Sequence, residues 1–282
     1  MRLAVRLTTA AAAIVAASAG AAHAASVEIK DAVARVTVVP ADRSDVRVEV
    51  VRPNAALPLA VRSEGGRVVV DGGLHRRIRG CDALSARPHV RVRGVGRVDY
   101  DEMPQVVIHT PRSVSLSASG AVVGAIGRSS SLELSNSGCS AWTIADVAGA
   151  AEIHESGAGS IRMGASDRLE LHLSGAADVH ATRVRNGLDA RLSGAGNVQV
   201  AEVNGDVQAR VSGVGKIGME NGRANLIRAS VSGVGSVEYG GAARDLDASI
   251  SGLGGVRVRE VTGQVRKSVS GGGRVSIGDR SR

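Results

Sequence analysis

Apolar and polar residues alternate along most of this chain with a period of two, the pattern of a β-strand with one buried face. The alternation is organised around a recurring Ser-Gly pair. Apolar residues stand one, three and often five positions before the serine, as Val211, Ala209 and Val207 do before Ser212. A second alternation follows the glycine. Because no stretch between these strands shows a helical period of 3.6 residues, the pattern predicts an all-β protein.

The Ser-Gly pair recurs at a nearly constant interval. Its serines are Ser119, Ser137, Ser156, Ser174, Ser193, Ser212, Ser232, Ser251 and Ser270. Successive serines are 18 to 20 residues apart, a period typical of solenoids. One unit cannot bury its own apolar stripe, but stacked units bury each other's and pair their backbones in parallel. Since parallel crossovers are almost always right-handed, the chain is predicted to form a right-handed, single-stranded parallel β-helix (β-solenoid) with about nine regular rungs of about 19 residues.

The segment before the regular repeat is rich in alternating β pattern but has no fixed period. We expect residues 25–103 to form irregular N-terminal rungs and a cap, with a loop over residues 71–88, and residues 104–282 to form the regular rungs. Both parts would belong to one domain, residues 25–282. The alternative is a separate small β domain before the solenoid.

The first 24 residues have the features of a secretory signal peptide. Arg2 and Arg6 precede a run of small apolar residues, and Ala22-His23-Ala24 supplies a small-x-small cleavage site. We therefore expect cleavage near Ala24 and a periplasmic or secreted mature chain. No later segment approaches 18 uninterrupted apolar residues, so no transmembrane segment is expected in the mature chain.

Composition argues against nucleic acid as a partner. Without Arg2 and Arg6, 33 basic residues remain against 27 acidic ones, a net charge of +6. The arginines are scattered among acids, and the chain has no Phe, one Trp and two Tyr, whereas single-stranded nucleic acid is held by stacking aromatic residues. The repeated Gly-x-Gly segments lack the strand-to-helix context of a nucleotide motif, and no cofactor is predicted.

The order of these motifs resembles a known family. Alternating strands are followed by PQVVIHTP at residues 104–111, by Ser-Leu-Ser-Ala-Ser-Gly at residues 115–120, and then by Ser-Gly-x-Gly rungs. This order is similar to that of the "putative auto-transporter adhesin, head GIN domain" family of exported bacterial proteins. The resemblance covers most of the mature chain and implies a single β-solenoid domain with an adhesin-like role. It implies no catalytic residues.

Four side chains on two adjacent predicted rungs form a candidate metal site. Positions two and four before each serine should point outward, which brings together Glu152, His154, Glu170 and His172, here called the Glu–His square. Two imidazoles and two carboxylates are acceptable ligands for zinc or copper. The alternative is a solvated face on which glutamate pairs with histidine or a neighbouring arginine.

The stacked serines admit two interpretations. A ladder of hydroxyl groups could bind sugar or ordered water, but serine and glycine also allow tight turns in which the hydroxyl bonds to neighbouring backbone. Parallel β-helices also host enzymes that act on polysaccharides. Here the aromatic residues that could stack on sugar, Tyr100, Trp142 and Tyr239, are far apart in the repeat, and no catalytic constellation stands out.

The two cysteines, Cys81 and Cys139, are predicted to pair in an oxidising compartment. Cys139 stands two positions after Ser137, in a column of small apolar residues. The other residues of that column are Ala158, Ala176, Ala195, Val214, Val234 and Leu253. The alternative is that Cys139 is a small buried apolar side chain without a partner.

These observations favour a non-enzymatic, exported interaction or structural module of the cell envelope with an unknown envelope or extracellular partner. A metal- or carbohydrate-binding face of the solenoid is the first alternative. A polysaccharide-acting β-helix enzyme is the second.

Overall fold

The computed structural model describes residues 26–82 and 89–278, together with the backbone of Ile14–Ala17. The described chain contains one short 3-10 helix, Tyr100–Glu102, and otherwise strands and turns. The strands are β1 Ile14–Ala17, β2 Ser26–Ala41, β3 Val46–Arg52, β4 Ala60–Glu64, β5 Arg67–Asp71, β6 Ile78–Asp82, β7 His89–Val92, β8 Gly96–Asp99, β9 Gln105–Pro111, β10 Ser113–Ile126, β11 Ser131–Asn136, β12 Cys139–Ile144, β13 Ala150–Glu155, β14 Ala158–Ser166, β15 Arg168–Leu173, β16 Ala176–Val184, β17 Leu188–Leu192, β18 Ala195–Val203, β19 Gly205–Val211, β20 Val214–Asn221, β21 Arg223–Val231, β22 Val234–Ile250, β23 Leu253–Val261, β24 Val265–Val269 and β25 Arg274–Ile277.

The predicted β-solenoid is confirmed. From β10 onward, each rung has one strand segment before its serine and one after it. Each segment pairs in parallel with its equivalent on the next rung. The paired residues are 18 to 20 positions apart, as Ala158↔Ala176 and Val214↔Val234 show. The interval between serines therefore equals the register of the sheet.

The N-terminal part begins in the second rung rather than at the end of the stack. Strand β2 pairs in parallel with β5 and β9 on one side and with β10 on the other. In chain order, β2 thus belongs to the second rung of the stack, and β5 and β9 form the outermost rung on one side of it. Strand β10 lies on the other side of β2 and continues the stack. Antiparallel strands β3 and β4 pair with β9 and β5, which covers the outer edge of that rung.

The expected loop over residues 71–88 is wrong in part. It contains β6, which joins β7 and β8 in a separate antiparallel sheet, and residues 83–88 lie outside the described chain. This small sheet has its own apolar cluster, in which Val90, Val92 and Val98 pack with Val33 and Ala121 of the solenoid. The solenoid therefore supplies part of the surface that buries the apolar face of this sheet.

The predicted signal peptide lies largely outside the described residues, including its cleavage site at Ala22-His23-Ala24. Within it, the backbone of β1 pairs antiparallel with β3. Cleavage near Ala24 stays a prediction. No helix among the described residues is both long enough and apolar enough to span a membrane.

The described solenoid interior is a continuous column of mostly aliphatic side chains with two aromatic insertions. Trp142 is 2% exposed and fills the space opposite Gly124, where a Cβ atom would overlap the indole ring. Tyr239 is also buried, and its hydroxyl donates to the carbonyl oxygen of Val203 at 3.0 Å. These two rings are therefore part of the core and present no face to a ligand, contrary to their candidate role in sugar stacking.

The last described rung carries a charge at an inward position. Lys267 on β24 pairs with Ala248, and the equivalent residues on the two preceding rungs are Ala229 and Ala209. Those three alanines are buried, whereas all of β24 is exposed. The last described rung thus has a lysine at the position where the preceding rungs have an alanine.

Candidate functional site

The outer face of strands β13, β15, β17 and β19 carries charged side chains in a regular arrangement. Its two outward columns hold Glu152, Glu170, Asp189 and Gln208, and His154, His172, Arg191 and Arg210. We call these eight residues the charged face. The serine interval predicts their register, because a parallel sheet with period-two side chains places equivalent positions directly above one another.

The structure brings the Glu–His square together. Glu152 pairs with Glu170 and His154 with His172 on adjacent strands. The two imidazole rings stack with their centroids 4.6 Å apart. Within each rung, the histidine Nε2 atom lies 2.7 Å from a glutamate Oε1 atom, between His154 and Glu152 and between His172 and Glu170. Each imidazole therefore already has a carboxylate partner on its own strand.

Arg191 extends this cluster to the next rung. Its Nη1 atom lies 3.0 Å from Glu170 Oε1 and 2.7 Å from His172 Nε2, and its Nη2 atom donates to Asp189. Hydrogen bonds from His172 and Arg191 hold the pKa of Glu170 below its usual value. A guanidinium group thus lies against the donor atoms that a metal would need. No group of three or more His, Cys, Asp or Glu residues in the described ranges is arranged to hold a metal ion. Metal binding by the square stays a prediction.

A groove of about 430 Å³ runs along the edge of the charged face. One wall is the column of His154, His172, Arg191 and Arg210, and the other is a column of serines. The groove serines are Ser156, Ser174, Ser193, Ser212 and Ser232. Adjacent strands lie about 4.8 Å apart, so this serine groove, as we call it, is about 19 Å long. It repeats one hydroxyl group per rung, beside one basic side chain on four successive rungs.

The serine hydroxyls also have a structural role. Ser193 Oγ donates to the carbonyl oxygen of Leu173 on the rung below at 3.3 Å, and Ser156 Oγ donates to that of Asn136 at the same distance. These are long hydrogen bonds, and both serines remain exposed. The hydroxyls can therefore stabilise the corner and still accept bonds from a ligand.

The apolar column two positions after each serine is exposed from Ala158 to Leu253. Its side chains point outward because inward positions fall at odd distances from the serine. This corner ridge consists of Ala158, Ala176, Ala195, Val214, Val234 and Leu253. The apolar composition of the column suggested burial, but the period of the strand decides its direction.

Cys81 and Cys139 are joined as a disulfide, with their Cα atoms 6.3 Å apart. The bond connects β6 of the small sheet to β12 of the solenoid. It closes 58 residues of chain and holds the small sheet over the first positions of the column that becomes the corner ridge. Whether the bond forms in the exported protein stays a prediction.

A buried polar cluster beneath the serine groove is absent from the sequence-based expectations. Glu155 is 1% exposed and stands one position before Ser156, where the later rungs carry Leu, Val or Ile and the preceding rung carries Asn136. Its Oε2 atom accepts a hydrogen bond from Asn136 Nδ2 at 2.7 Å, and its Oε1 atom accepts one from the backbone N–H of Gly157 at 2.8 Å. Burial raises the pKa of Glu155, and these bonds offset only part of that effect. The acidic residue at an inward position was the available signal.

The solved structures that match this chain include three of low sequence identity. A "putative lipid binding protein" from Parabacteroides distasonis is 15% identical, with a TM-score of 0.47 over 94% of this chain and 97% of that chain. A "putative adhesin" from Bacteroides fragilis is 16% identical, with a TM-score of 0.39 over the same shares. A second "putative adhesin" from P. distasonis is 15% identical, with a TM-score of 0.36 over 94% of both chains. No family model and no curated protein matches the chain. The family resemblance therefore stays a prediction.

Proposed function

We propose that this chain is a non-enzymatic, adhesin-like binding module of the bacterial cell envelope that holds an acidic polysaccharide in the serine groove. The observation that carries the proposal is the regular spacing of side chains along this groove. One hydroxyl group recurs on each rung, and on four successive rungs a basic side chain lies beside it. A polymer with carboxylate and hydroxyl groups on each unit offers the complementary pattern. Weak contacts repeated along one chain add to a useful affinity.

The charges at the groove support an acidic ligand. Arg210 is exposed, and its Nη1 atom lies 4.0 Å from Asp189 Oδ1. Its guanidinium group is therefore less engaged than that of Arg191 and is available to a carboxylate, which the planar fork of arginine recognises well. Among the described residues that line the groove, Glu155 is the one carboxylate, and it is held beneath the surface by Asn136.

This arrangement supports binding rather than catalysis. Glycoside hydrolysis ordinarily needs two carboxyl groups that flank the scissile bond, and the described groove lining offers one buried carboxyl group. The glutamates of the square belong to the other column of the charged face. In the groove, the basic and hydroxyl groups can hold a polymer without a second acid to act on it.

The proposal is tested by titrating the mature chain with polygalacturonate, with neutral dextran as the comparison ligand, at low and high salt. We expect calorimetry to show binding of the acidic polymer only, weakened by salt. Arg210→Ser should lower the affinity by about twofold to fivefold, the scale of one exposed ion pair. Arg228→Ser is the matched control and should leave the affinity unchanged. Arg228 pairs with Gln208, in the outward column that does not line the serine groove. Equal binding of dextran, no binding of either polymer, or equal losses in the two variants would contradict the proposal.

A further inference from the structure

The corner ridge ends in three large apolar side chains that face solvent. Val214, Val234 and Leu253 are 58%, 55% and 63% exposed, and they are the most exposed large apolar residues in the described chain. They stand on consecutive rungs and pair in register. Single exposed apolar residues need no explanation, but an aligned row of them marks an interaction surface.

The same column is covered at its other end by the chain itself. Ala121 and Cys139 precede the ridge on the two earlier rungs. Ala121 is 3% exposed beneath the small sheet, whose apolar cluster includes Val90 and Val98. The fold therefore already uses this column as a packing surface for apolar side chains, and the ridge continues that surface without a cover.

The surroundings of the ridge favour a protein partner. The residues within two positions of Val214, Val234 and Leu253 are serines, glycines and one charged residue, Lys216. Lys216 Nζ lies 2.7 Å from Glu238 Oε2, so its charge is engaged. Depletion of charge around an apolar centre is typical of the core of a protein–protein interface. A surface that binds anionic lipid would instead carry unpaired basic residues around its apolar centre.

We propose that the corner ridge binds the ridge of a second copy of this chain, in an antiparallel arrangement around a two-fold axis at Val234. Rungs are equally spaced, so two ridges can match at every rung. In the antiparallel arrangement Val234 faces Val234 of the second copy, and Val214 faces Leu253. Each contact then joins side chains of similar combined size, whereas a parallel arrangement would place Leu253 against Leu253 and leave the ridges uneven. A self-complementary surface of this kind gives a closed dimer.

Sedimentation velocity over a range of concentrations tests the dimer. The mature chain should change from monomer to dimer as its concentration rises, and Val234→Glu should be monomeric throughout because it buries two like charges at the axis. Val51→Glu is the matched control: Val51 is a 49% exposed valine on β3, away from the ridge. Circular dichroism should show that both variants fold. A wild-type chain that is monomeric up to about 1 mM, or a Val51→Glu variant that loses the dimer equally, would overturn the proposal.

Cysteine cross-linking tests the antiparallel geometry independently. Under mild oxidation, Val234→Cys should form a covalent dimer by itself. Val214→Cys should do so only when mixed with Leu253→Cys. Self-cross-linking of Val214→Cys as fast as that of Val234→Cys would overturn the two-fold arrangement. Because no ridge residue lines the serine groove, loss of the dimer should leave polysaccharide binding unchanged, and the two proposals can fail separately.

Discussion

Replacing Gly194 with alanine should destabilise the solenoid strongly, because the corner requires a glycine after each serine. A Cβ atom on Gly194 would overlap the carbonyl oxygen of Gly175 on the rung below and lie 2.7 Å from the carbonyl carbon of Ser174. Cβ atoms in proteins essentially never come closer than 3.0 Å to another heavy atom. Because these neighbours are backbone atoms, the clash can be relieved only by moving the two rungs apart.

The magnitude follows from the hydrogen bonds that hold the rungs together at this corner. The backbone N–H of Ser193 donates to Leu173 O at 2.8 Å, and that of Ala195 donates to Gly175 O at 3.0 Å. Each such hydrogen bond contributes about 0.5–1.5 kcal/mol to stability. Loss of both bonds should therefore lower the free energy of unfolding by about 1–3 kcal/mol, a substantial part of the usual total.

Two variants separate the steric requirement from other effects. Gly255→Ala makes the same change on an outward strand position where the nearest heavy atom to a Cβ, the carbonyl oxygen of Arg274, is 3.5 Å away. It should be neutral or stabilising by about 0.5–1 kcal/mol. Ser193→Ala removes only the 3.3 Å bond to Leu173 O and should cost about 1 kcal/mol. The measurement is urea unfolding followed by circular dichroism. Equal costs for Gly194→Ala and Gly255→Ala, or a larger cost for Ser193→Ala, would refute the reasoning.

Three further predictions concern the buried carboxyl group, the disulfide and the square. Burial raises the folded-state pKa of Glu155 above its unfolded value. The free energy of unfolding of the wild type should therefore increase relative to that of Glu155→Gln as the pH falls from 7 through the folded-state pKa towards about 4.3. Urea unfolding at several pH values that shows no change in the difference between the two free energies would contradict this prediction. Thiol titration of the unfolded, unreduced exported protein should find no free Cys81 or Cys139, and reduction should lower the free energy of unfolding by up to about 4 kcal/mol; two free thiols before reduction would exclude the bond. If the Glu–His square binds zinc, the metal should raise the melting temperature at pH 7 and less at pH 5, because protons and the metal compete for the ligand atoms. Calorimetry without binding at millimolar zinc would leave the ion pairs as its sole role.

The regular rungs could be predicted because one motif fixes their register. The serine interval alone places Glu152 beside Glu170 and His154 beside His172, and the structure has this pairing. The direction of the corner ridge could also have been predicted from the strand period. The apolar composition of that column alone would suggest burial, so the strand period has to be applied first.

The N-terminal topology and the buried cluster could not be obtained in this way. Strand β2 pairs with β10 across nearly 90 residues of chain, as Ser26↔Ser115 shows, and no periodic signal connects partners that far apart. Glu155 and Asn136 are the two polar residues of an inward column that is otherwise apolar, and each is tolerated because it bonds to the other across one rung. Such a compensation is a tertiary property that a single-chain pattern does not contain.

Lys267 bears on aggregation, because it stands on an exposed strand at the position where the preceding rungs have buried alanines. A stack of parallel strands is a template on which strands of other molecules can continue, as in amyloid growth. A strand added to β24 would need to cover Lys267, and burying an unpaired ammonium group in an aliphatic column is costly. Lys267 therefore disfavours the pairing of a foreign strand with β24, while the rungs before it keep a regular aliphatic interior.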